Sequence, residues 1–502
     1  MQGKDGRLSG PLREPRMGRQ RERTAAPHDS SMIDLRTFLA DEARHVWRPK
    51  GPVSLVQEIT GLQVALEAEG RHPIIVIEKP RRADGSISGM AVVTNVTASR
   101  EITARALGVG DHRDFAQAYA ERTAAPIEPV AVGRGDAPVQ DLVLEGPDAD
   151  LTALPLLTQH EGDPGPYLTA GRATTYDPDT GIDNTAIQRC WVKGPRKMSW
   201  YPYPASHNTR NLKKFWAKGE PCPVAFWIGH HPKVMLGAQA KIKYPESHWA
   251  AAGGLIGEPV RLVPSITHGG KIMVPADAEI VVEGFAPANV WEADGPFGEY
   301  TGYMGPQVAA PVCEVTCITW RKDAIYHDYG SGLRDMLVPD NMVMEGKIFA
   351  MAKAVAPSLR RVHVPVSGRR FHAYLQFETP GAGEARDALT AVLGYRRTKA
   401  VFALDDDIDI FSDSDVMFAL ATRVMWERDA IIVSGLSGSL MDPGLQRGAK
   451  TVSKIGIDAT LAPAEVPGAP RPVPPRAGVS EDALKAARDM LAKVDTLAWP
   501  EA

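Results

Sequence analysis

The 502-residue chain has only four cysteines, too few for a disulfide scaffold, and no two of them form a Cys-x-x-Cys pair. No apolar run approaches the roughly 18 residues that span a bilayer, and no apolar signal core follows the first residues. These absences exclude a disulfide-stapled fold and a helical membrane span, and they lead us to expect a cytoplasmic protein with reduced thiols. Positive charge is not in surplus either. Fifty-seven Lys plus Arg against 61 Asp plus Glu give a formal net charge of −4, which offers no field to hold nucleic acid or anionic lipid. No G-x-x-x-x-G-K-[ST] or G-x-G-x-x-G element occurs, so the usual phosphate cradles of nucleotide hydrolases and dinucleotide-binding enzymes are missing. What is present, 44% hydrophobic and 24% charged residues, is the composition of a soluble globular protein long enough for several domains.

Residues 1–31 carry Lys4, Arg7, Arg13, Arg16, Arg19, Arg21 and Arg23 among Gly, Pro and Gln, and predict a disordered basic tail. Asp5, Glu14, Glu22 and Asp29 interrupt the pattern of an organelle presequence, and Met32 offers an alternative start. Over 32–145 the helix IDLRTFLADEA, the strands HPIIVIEK and MAVVTNVTA and a helix from Asp111 to Thr123 predict an N-terminal α/β domain. Over 146–335, short β runs punctuated by Gly and Pro (YLTAGRATTY, AIQRCWVKG, VAFWIGHHP, KVMLGAQA, EIVVEGF) predict a mainly β, barrel-like domain. Over 336–462, strands alternate with helices, as in a C-terminal α/β domain. Over 463–502 comes a Pro-rich arm and a terminal helix capped by Ser480, whose Leu484, Ala487, Leu491 and Val494 form a stripe that another subunit would cover. In VCEVTCITW, period-2 alternation puts Cys313 and Cys317 on one face of a strand, about 13 Å apart, where they pack and share no metal.

The densest functional text is ADGPFGEYTGYMGP, residues 293–306, in which Gly and Pro surround Asp294, Glu299, Tyr300 and Tyr303. Two carboxylates brought into one dry pocket cannot both ionise cheaply, so one becomes a proton donor near neutrality. Upstream, Asn184 and Arg189 fall in one expected strand, followed by His207 and Glu246. An amide oxygen, an imidazole and a carboxylate suit Mn²⁺ or Mg²⁺, although their spacing forms no motif. His230 and His231 read as satisfied core or surface residues. The acidic run Asp405, Asp406, Asp407 and Asp409 reads as a strand end before a helix that Asp413 or Asp415 starts.

Taken together and in order from Asp150 to Thr460, the texts DLTALPLLTQHEGDPGPYLTAG, NTAIQRCWV, SHN, FWIGHHP, DGPFGEYTGY, LDDDIDIF, DVMFALATR and SKIGIDAT resemble the UbiD-like decarboxylases, which use prenylated FMN and include the ferulic acid decarboxylases. The resemblance implies an N-terminal α/β domain, a split β-barrel that binds the flavin, and a C-terminal α/β domain that mediates oligomerisation as a homodimer or homohexamer. It implies that Arg189, Glu299 and Asp294 are catalytic, with Arg189 anchoring a carboxylate and Glu299 giving the proton. Asn184, His207 and Glu246 would hold Mn²⁺ or Mg²⁺, with K⁺ as an optional further ion. Asn184, Thr185, Ala186, Ile187, Gln188, Arg189 and Ser206 would line the cofactor together with His207 and Glu246. A flavin prenyltransferase would supply that cofactor. The implied reaction is the reversible, non-oxidative decarboxylation of an aromatic, heteroaromatic or α,β-unsaturated acid; an FMN-dependent oxidoreductase and a non-catalytic flavin-binding protein are its rivals. Tyr300 is expected to stack on a ring, and the segment holding His327, Tyr329 and Arg334 to reach the pocket. Two departures stand out. Asp294 replaces the Glu of close relatives of ferulic acid decarboxylase, so its reach to Arg189 is expected to need backbone or water. Leu393 replaces a phosphate-binding Lys, leaving Arg396, Arg397 or Lys454 as substitutes.

Overall fold

Ile74–Ile77 is apolar at every position and buried along its whole length, as a strand covered on both faces must be. The computed structural model in which it lies describes residues 33–445, 448–449, 451–461 and 476–492; the basic tail and residues 463–475 of the Pro-rich arm fall outside them. Ile74–Ile77 sits in a four-stranded sheet ordered Val46–Trp47, Ile74–Ile77, Ala91–Thr94, Ile325–His327. Around it pack helices with side-chain caps: Asp34 accepts from the Thr37 N–H, and Ser99 from the Ile102 N–H. The fourth strand comes from far down the chain and pairs in parallel with Ala91–Thr94. In the opposite sense, Leu142–Glu145 leaves the N-terminal region to pair with Val308–Trp320. Both pairings therefore cross the boundary expected at 145, whereas the one expected at 335 is spanned by the helix Arg334–Lys353, which starts just before it.

The central sheet is antiparallel and runs Asp183–Ile187, Arg172–Tyr176, Cys222–Ile228, Ile280–Ala286, Val308–Trp320, Lys197–Trp200, Cys190–Gly194, Tyr167–Leu168. Its first and seventh strands are consecutive in sequence, joined only by Gln188 and Arg189. So short a link cannot cross a flat sheet, because six strand spacings of about 4.8 Å separate the two. The sheet must curl until its edges meet, and the result is an incompletely closed barrel whose seam is Gln188–Arg189. AIQRCWVKG is thus two strands and not one.

Two further expectations fail for local reasons. KVMLGAQA is not a β run: Pro232–Gly237 is a helix, with Pro at its first turn and the His231 ring accepting from the Lys233 N–H at 3.1 Å. Gly237 lets that helix lie against the neighbouring one, since a Cβ there would come within 2.5 Å of Ala252 Cα. Cys313 and Cys317 do not share a face. A bulge in the pairing of Val308–Trp320 with Ile280–Ala286 inserts one residue between them. Cys313, Val315 and Ile318 therefore line one core cluster, and Cys317 lies outside it.

Beyond the long helix, a five-stranded sheet runs Leu359–His363, His372–Phe377, Ala400–Asp405, Thr451–Asp458, Ala430–Ser437, with the helix Glu384–Leu393 connecting two parallel neighbours. The acidic run ends its central strand: Arg423 pairs with Asp405 and Asp407, and Ser412 caps the next helix. In the terminal helix Glu481–Leu491, capped by Ser480, Ala487 and Leu491 of the expected stripe are exposed and Leu484 is half-buried. Val494 lies outside the described residues. Among the described residues no helix is long and apolar enough to cross a membrane.

Candidate active site

Arg189 stands at the barrel seam, where the Gln188 N–H donates to Gly171 O at 3.1 Å and Arg189 O accepts from the Tyr201 N–H at 3.3 Å. Its guanidinium lies between two aromatic faces, 4.6 Å from the Tyr201 ring centroid and 4.8 Å from that of Phe297. Nε and Nη2 both donate to Asp294 Oδ2, at 2.9 and 2.8 Å, and Nη1 donates to Glu299 Oε1. Asp294 is fully buried, and its other oxygen accepts from Ser199 Oγ at 2.6 Å. Its reach to Arg189 is direct, contrary to the expectation that backbone or water must bridge it. Three of the five N–H donors of Arg189 are then committed, and two remain for a ligand.

Both acids come from one ribbon. Asp294 ends the strand Trp291–Asp294, and Phe297–Gly298 pairs with Met304–Gly305 as a hairpin carrying Glu299 at its turn. The Glu299 N–H donates to Tyr303 O at 2.9 Å, which fixes that turn. Two glycines are required by close approach. A Cβ on Gly298 would lie 2.4 Å from the His160 ring, and one on Gly305 would lie 2.9 Å from Glu299 Cγ. Burial pushes the Glu299 carboxyl above its usual range; Arg189 pulls it back, and the Asp294 charge adds to the rise.

Arg189, Tyr201, Phe297 and Glu299 line a cavity of about 450 Å³, within the range of cofactor sites. Asn184, Thr185, Ala186, Ile187, Gln188, Arg189, Ser206 and His207 all face it. Ser206 caps the helix His207–Ala217, and burial together with the Arg210 charge pushes the His207 imidazole down, toward the neutral form a metal ligand needs. Glu246 does not face the cavity. It is exposed on the adjoining turn, with Oε2 accepting from the Lys243 N–H at 2.9 Å. Two of the three expected metal donors are thus gathered and the third is not.

Of the substrate-side candidates, Tyr300 and Tyr329 line the cavity and His327 and Arg334 do not. Tyr300 is engaged by protein, its hydroxyl 2.7 Å from Ser439 Oγ. Among the substitutes for the missing Lys, Arg396 and Arg397 line the cavity. Lys454 is buried elsewhere, its Nζ donating to Leu393 O and Tyr395 O, and Leu393 is core. His230 and His231 are buried, and burial pushes both down to about 3. The residues that sequence reasoning missed are Ser199, Tyr201, Phe297, Lys241, Asp340 and Arg370. Phe297 lay inside the 293–306 segment already singled out, and the run Ser367-Gly368-Arg369-Arg370, a polar turn ending in two cations, carried a signal for Arg370.

Three family models match the chain. The N-terminal domain of 3-octaprenyl-4-hydroxybenzoate carboxy-lyase (UbiD) covers residues 40–121, its Rift-related domain 130–333 and its C-terminal domain 341–459. The anhydromevalonate phosphate decarboxylase of Methanosarcina mazei is 32% identical over 381 residues, 75% of this chain and 86% of that protein. The UbiD-class enzyme HmfF from Pelotomaculum thermopropionicum, solved in complex with FMN, has a TM-score of 0.82 at 32% identity over 91% of this chain and 99% of its own. An evolved dimeric form of that enzyme in complex with prFMN gives 0.78 at 30% identity, over 92% and 99%. The matched domains follow the order of the three sheets, and relatives at this identity align along nearly their whole length; the chain belongs to the UbiD family and is a carboxy-lyase.

Proposed function

We propose that the chain catalyses reversible, non-oxidative decarboxylation of an aromatic, heteroaromatic or α,β-unsaturated carboxylic acid with prenylated FMN, with Arg189 as carboxylate anchor and Glu299 as proton donor. The observation that carries this reading is the buried Asp294–Arg189–Glu299 chain, whose Arg189 and Glu299 line the cavity, with an arginine that keeps free donors beside an acid of raised proton affinity. The residues present suit the cofactor. The stretch from Asn184 to Gln188 and the aromatic residues Tyr201 and Phe297 line its space, and cations stand along the same cavity for a phosphate. Arg396, its Cζ 4.5 Å over the ring of Tyr203, which stands three residues before Ser206, is the best-placed substitute for the missing Lys. A divalent cation would be held by Asn184 and His207, and by Glu246 if its turn closes on the cavity mouth.

When bound, prenylated FMN supplies the electron sink that no side chain offers for the electrons left by departing CO₂. The chain's own groups do the rest. Arg189 receives the substrate carboxylate on its two uncommitted N–H groups. Asp294, itself fixed by Ser199, keeps the guanidinium plane from turning. As Arg189 shares its charge with the substrate, its hold on the Glu299 carboxylate weakens and the proton affinity of Glu299 rises further. Glu299 then protonates the carbon that CO₂ vacates. The experiment is co-expression with a flavin prenyltransferase, mass spectrometry of the released cofactor, and CO₂ release from a panel of unsaturated and aromatic acids. A prenylated mass with CO₂ release supports the reading; an unmodified FMN that oxidises NAD(P)H without CO₂ release refutes it. The name of the Methanosarcina mazei relative keeps a phosphorylated acid among the acids to be tested.

A further inference from the structure

Besides Arg189, the cavity lining holds more cations than it neutralises. Asp340 Oδ1 meets Lys241 Nζ at 2.8 Å, and Oδ2 meets Arg370 Nη1 at 3.0 Å and Arg397 Nη1 at 3.3 Å. Three cations therefore share one carboxylate on a cavity surface. Arg370 is the deepest of them, only 8% exposed. Of its five possible N–H donations, one goes to Asp340, Nη2 reaches Met336 O only at 3.5 Å, and Nε has no partner. A buried charge with unused donors is costly to maintain, and such a group persists where a ligand completes it.

The backbone is bent to put it there. Arg369 and Arg370 are consecutive residues in the left-handed region, at φ 47° and 68°, a conformation that side-chain-bearing residues adopt only when the surroundings enforce it. Arg369 Nη1 donates to Gly332 O and anchors the bend. The outcome is that Arg370 Cζ stands 4.5 Å above the ring centroid of Tyr300, the residue that follows Glu299. Arg370 is thus at the reacting end of the cavity, and its charge bears on Glu299 itself.

We infer that Arg370, backed by Lys241 and Arg397 around Asp340, binds a second anionic group on the substrate, so that the acid decarboxylated here carries a carboxylate or phosphate besides the carboxylate that leaves. This rests on the decarboxylase reading above and adds a substrate class to it. An anion at this wall has two possible sources, the substrate and the flavin phosphate, and the test separates them. Flavin-loaded wild type, Arg370→Met and Arg370→Lys are titrated with benzoate, benzene-1,3- and 1,4-dicarboxylate and 4-phosphonobenzoate, and their flavin content is measured by absorbance. Wild type is expected to bind at least one dianion more tightly than benzoate by roughly 10- to 100-fold, the worth of one or two charge-assisted hydrogen bonds. Arg370→Met should erase that preference while retaining flavin. Arg370→Lys, which keeps charge and stem but not the fork, should keep part of it and serves alone if the Met variant does not fold. No preference in wild type, or a full preference surviving both substitutions, overturns the inference. Loss of flavin from the Arg370 variants also overturns it, by tracing the anion to the cofactor phosphate. A wild type that prefers dianions yet releases CO₂ from no acid would sink the decarboxylase reading and leave the anion subsite standing.

Discussion

Replacing Glu299 by Gln isolates one ionisable proton. The side chain keeps its length and its Oε1, which can still accept from Arg189 Nη1, so the arginine stays anchored from both sides. The room for it is set by Gly305 and by the turn that the Glu299 N–H closes on Tyr303 O, neither of which the substitution touches. Flavin content and melting temperature should therefore match wild type. Turnover should not. Loss of a general acid costs roughly 10² to 10⁴ in rate, equivalent to about 3–5 kcal/mol of barrier. A loop carboxylate with no chemical duty would change matters by about 0.5 kcal/mol or less, near twofold. The two outcomes are separated by well over an order of magnitude. The assay is CO₂ release with the flavin content of each preparation measured alongside. A second assay is hydrogen exchange in D₂O at the product carbon that had carried the carboxylate, which runs the same proton transfer in reverse and should fall in parallel. A Glu299→Gln protein with full cofactor and near-normal turnover would refute the assignment of Glu299 and the mechanism with it.

Asp294→Asn removes both the carboxylate that fixes Arg189 and the like charge that helps hold the proton on Glu299. Turnover should fall less than in Glu299→Gln, and the alkaline limb of the kcat–pH profile should move to lower pH, because Glu299 then gives up its proton earlier. Asp294→Glu, which the resemblance to ferulic acid decarboxylase suggests is harmless, should instead lower stability by about 1–3 kcal/mol in a thermal melt. The slot is fully buried and already closed on Ser199 and Arg189, leaving no space for a methylene. His207→Ala should remove bound Mn²⁺, read by elemental analysis after loading, whereas Glu246→Ala does so only if the 243–246 turn closes; full Mn²⁺ in that variant strikes Glu246 from the ligand set. Asp328, buried between Thr169 and Gln159, is pushed up to about 8 by burial from 3.8. The folded chain keeps a proton that the unfolded chain releases, so the contribution is complete below the unfolded value and is lost as pH rises through about 8. The melting temperature of Asp328→Asn should therefore gain on wild type between pH 5 and 9, and a constant difference would rule this out.

What the sequence made legible is what local pattern encodes. The strand Ile74–Ile77, the cap at Ser480, the Gly- and Pro-rich segment that carries Asp294 and Glu299, and the stretch Asn184–Arg189 are each written within a few neighbouring residues. What escaped depends on partners distant in the chain. KVMLGAQA alternates well enough for a strand, but Pro232, the His231 cap and the close fit of Gly237 on Ala252 decide for a helix. The faces of Cys313 and Cys317 follow from a bulge opposite Glu283 and Gly284, which period-2 counting within one strand cannot sense. No domain boundary drawn along the text anticipates that Ile325–His327 completes the N-terminal sheet. The site divides in the same way. The arginine and acids proposed as catalytic sit in dense motifs because each is fixed by its own turn or seam, and a motif records such local constraints. Lys241, Asp340, Arg370 and Arg397 instead come from four separate segments and converge only when the C-terminal region folds against the barrel. None is remarkable in its own context, since lysines and arginines are ordinary surface residues. Their meaning arises from one shared carboxylate and from the two left-handed residues that carry Arg370 inward. Chemistry common to a family is therefore the part a sequence reader recovers first, whereas the groups that select the substrate, gathered from distant segments, require the fold.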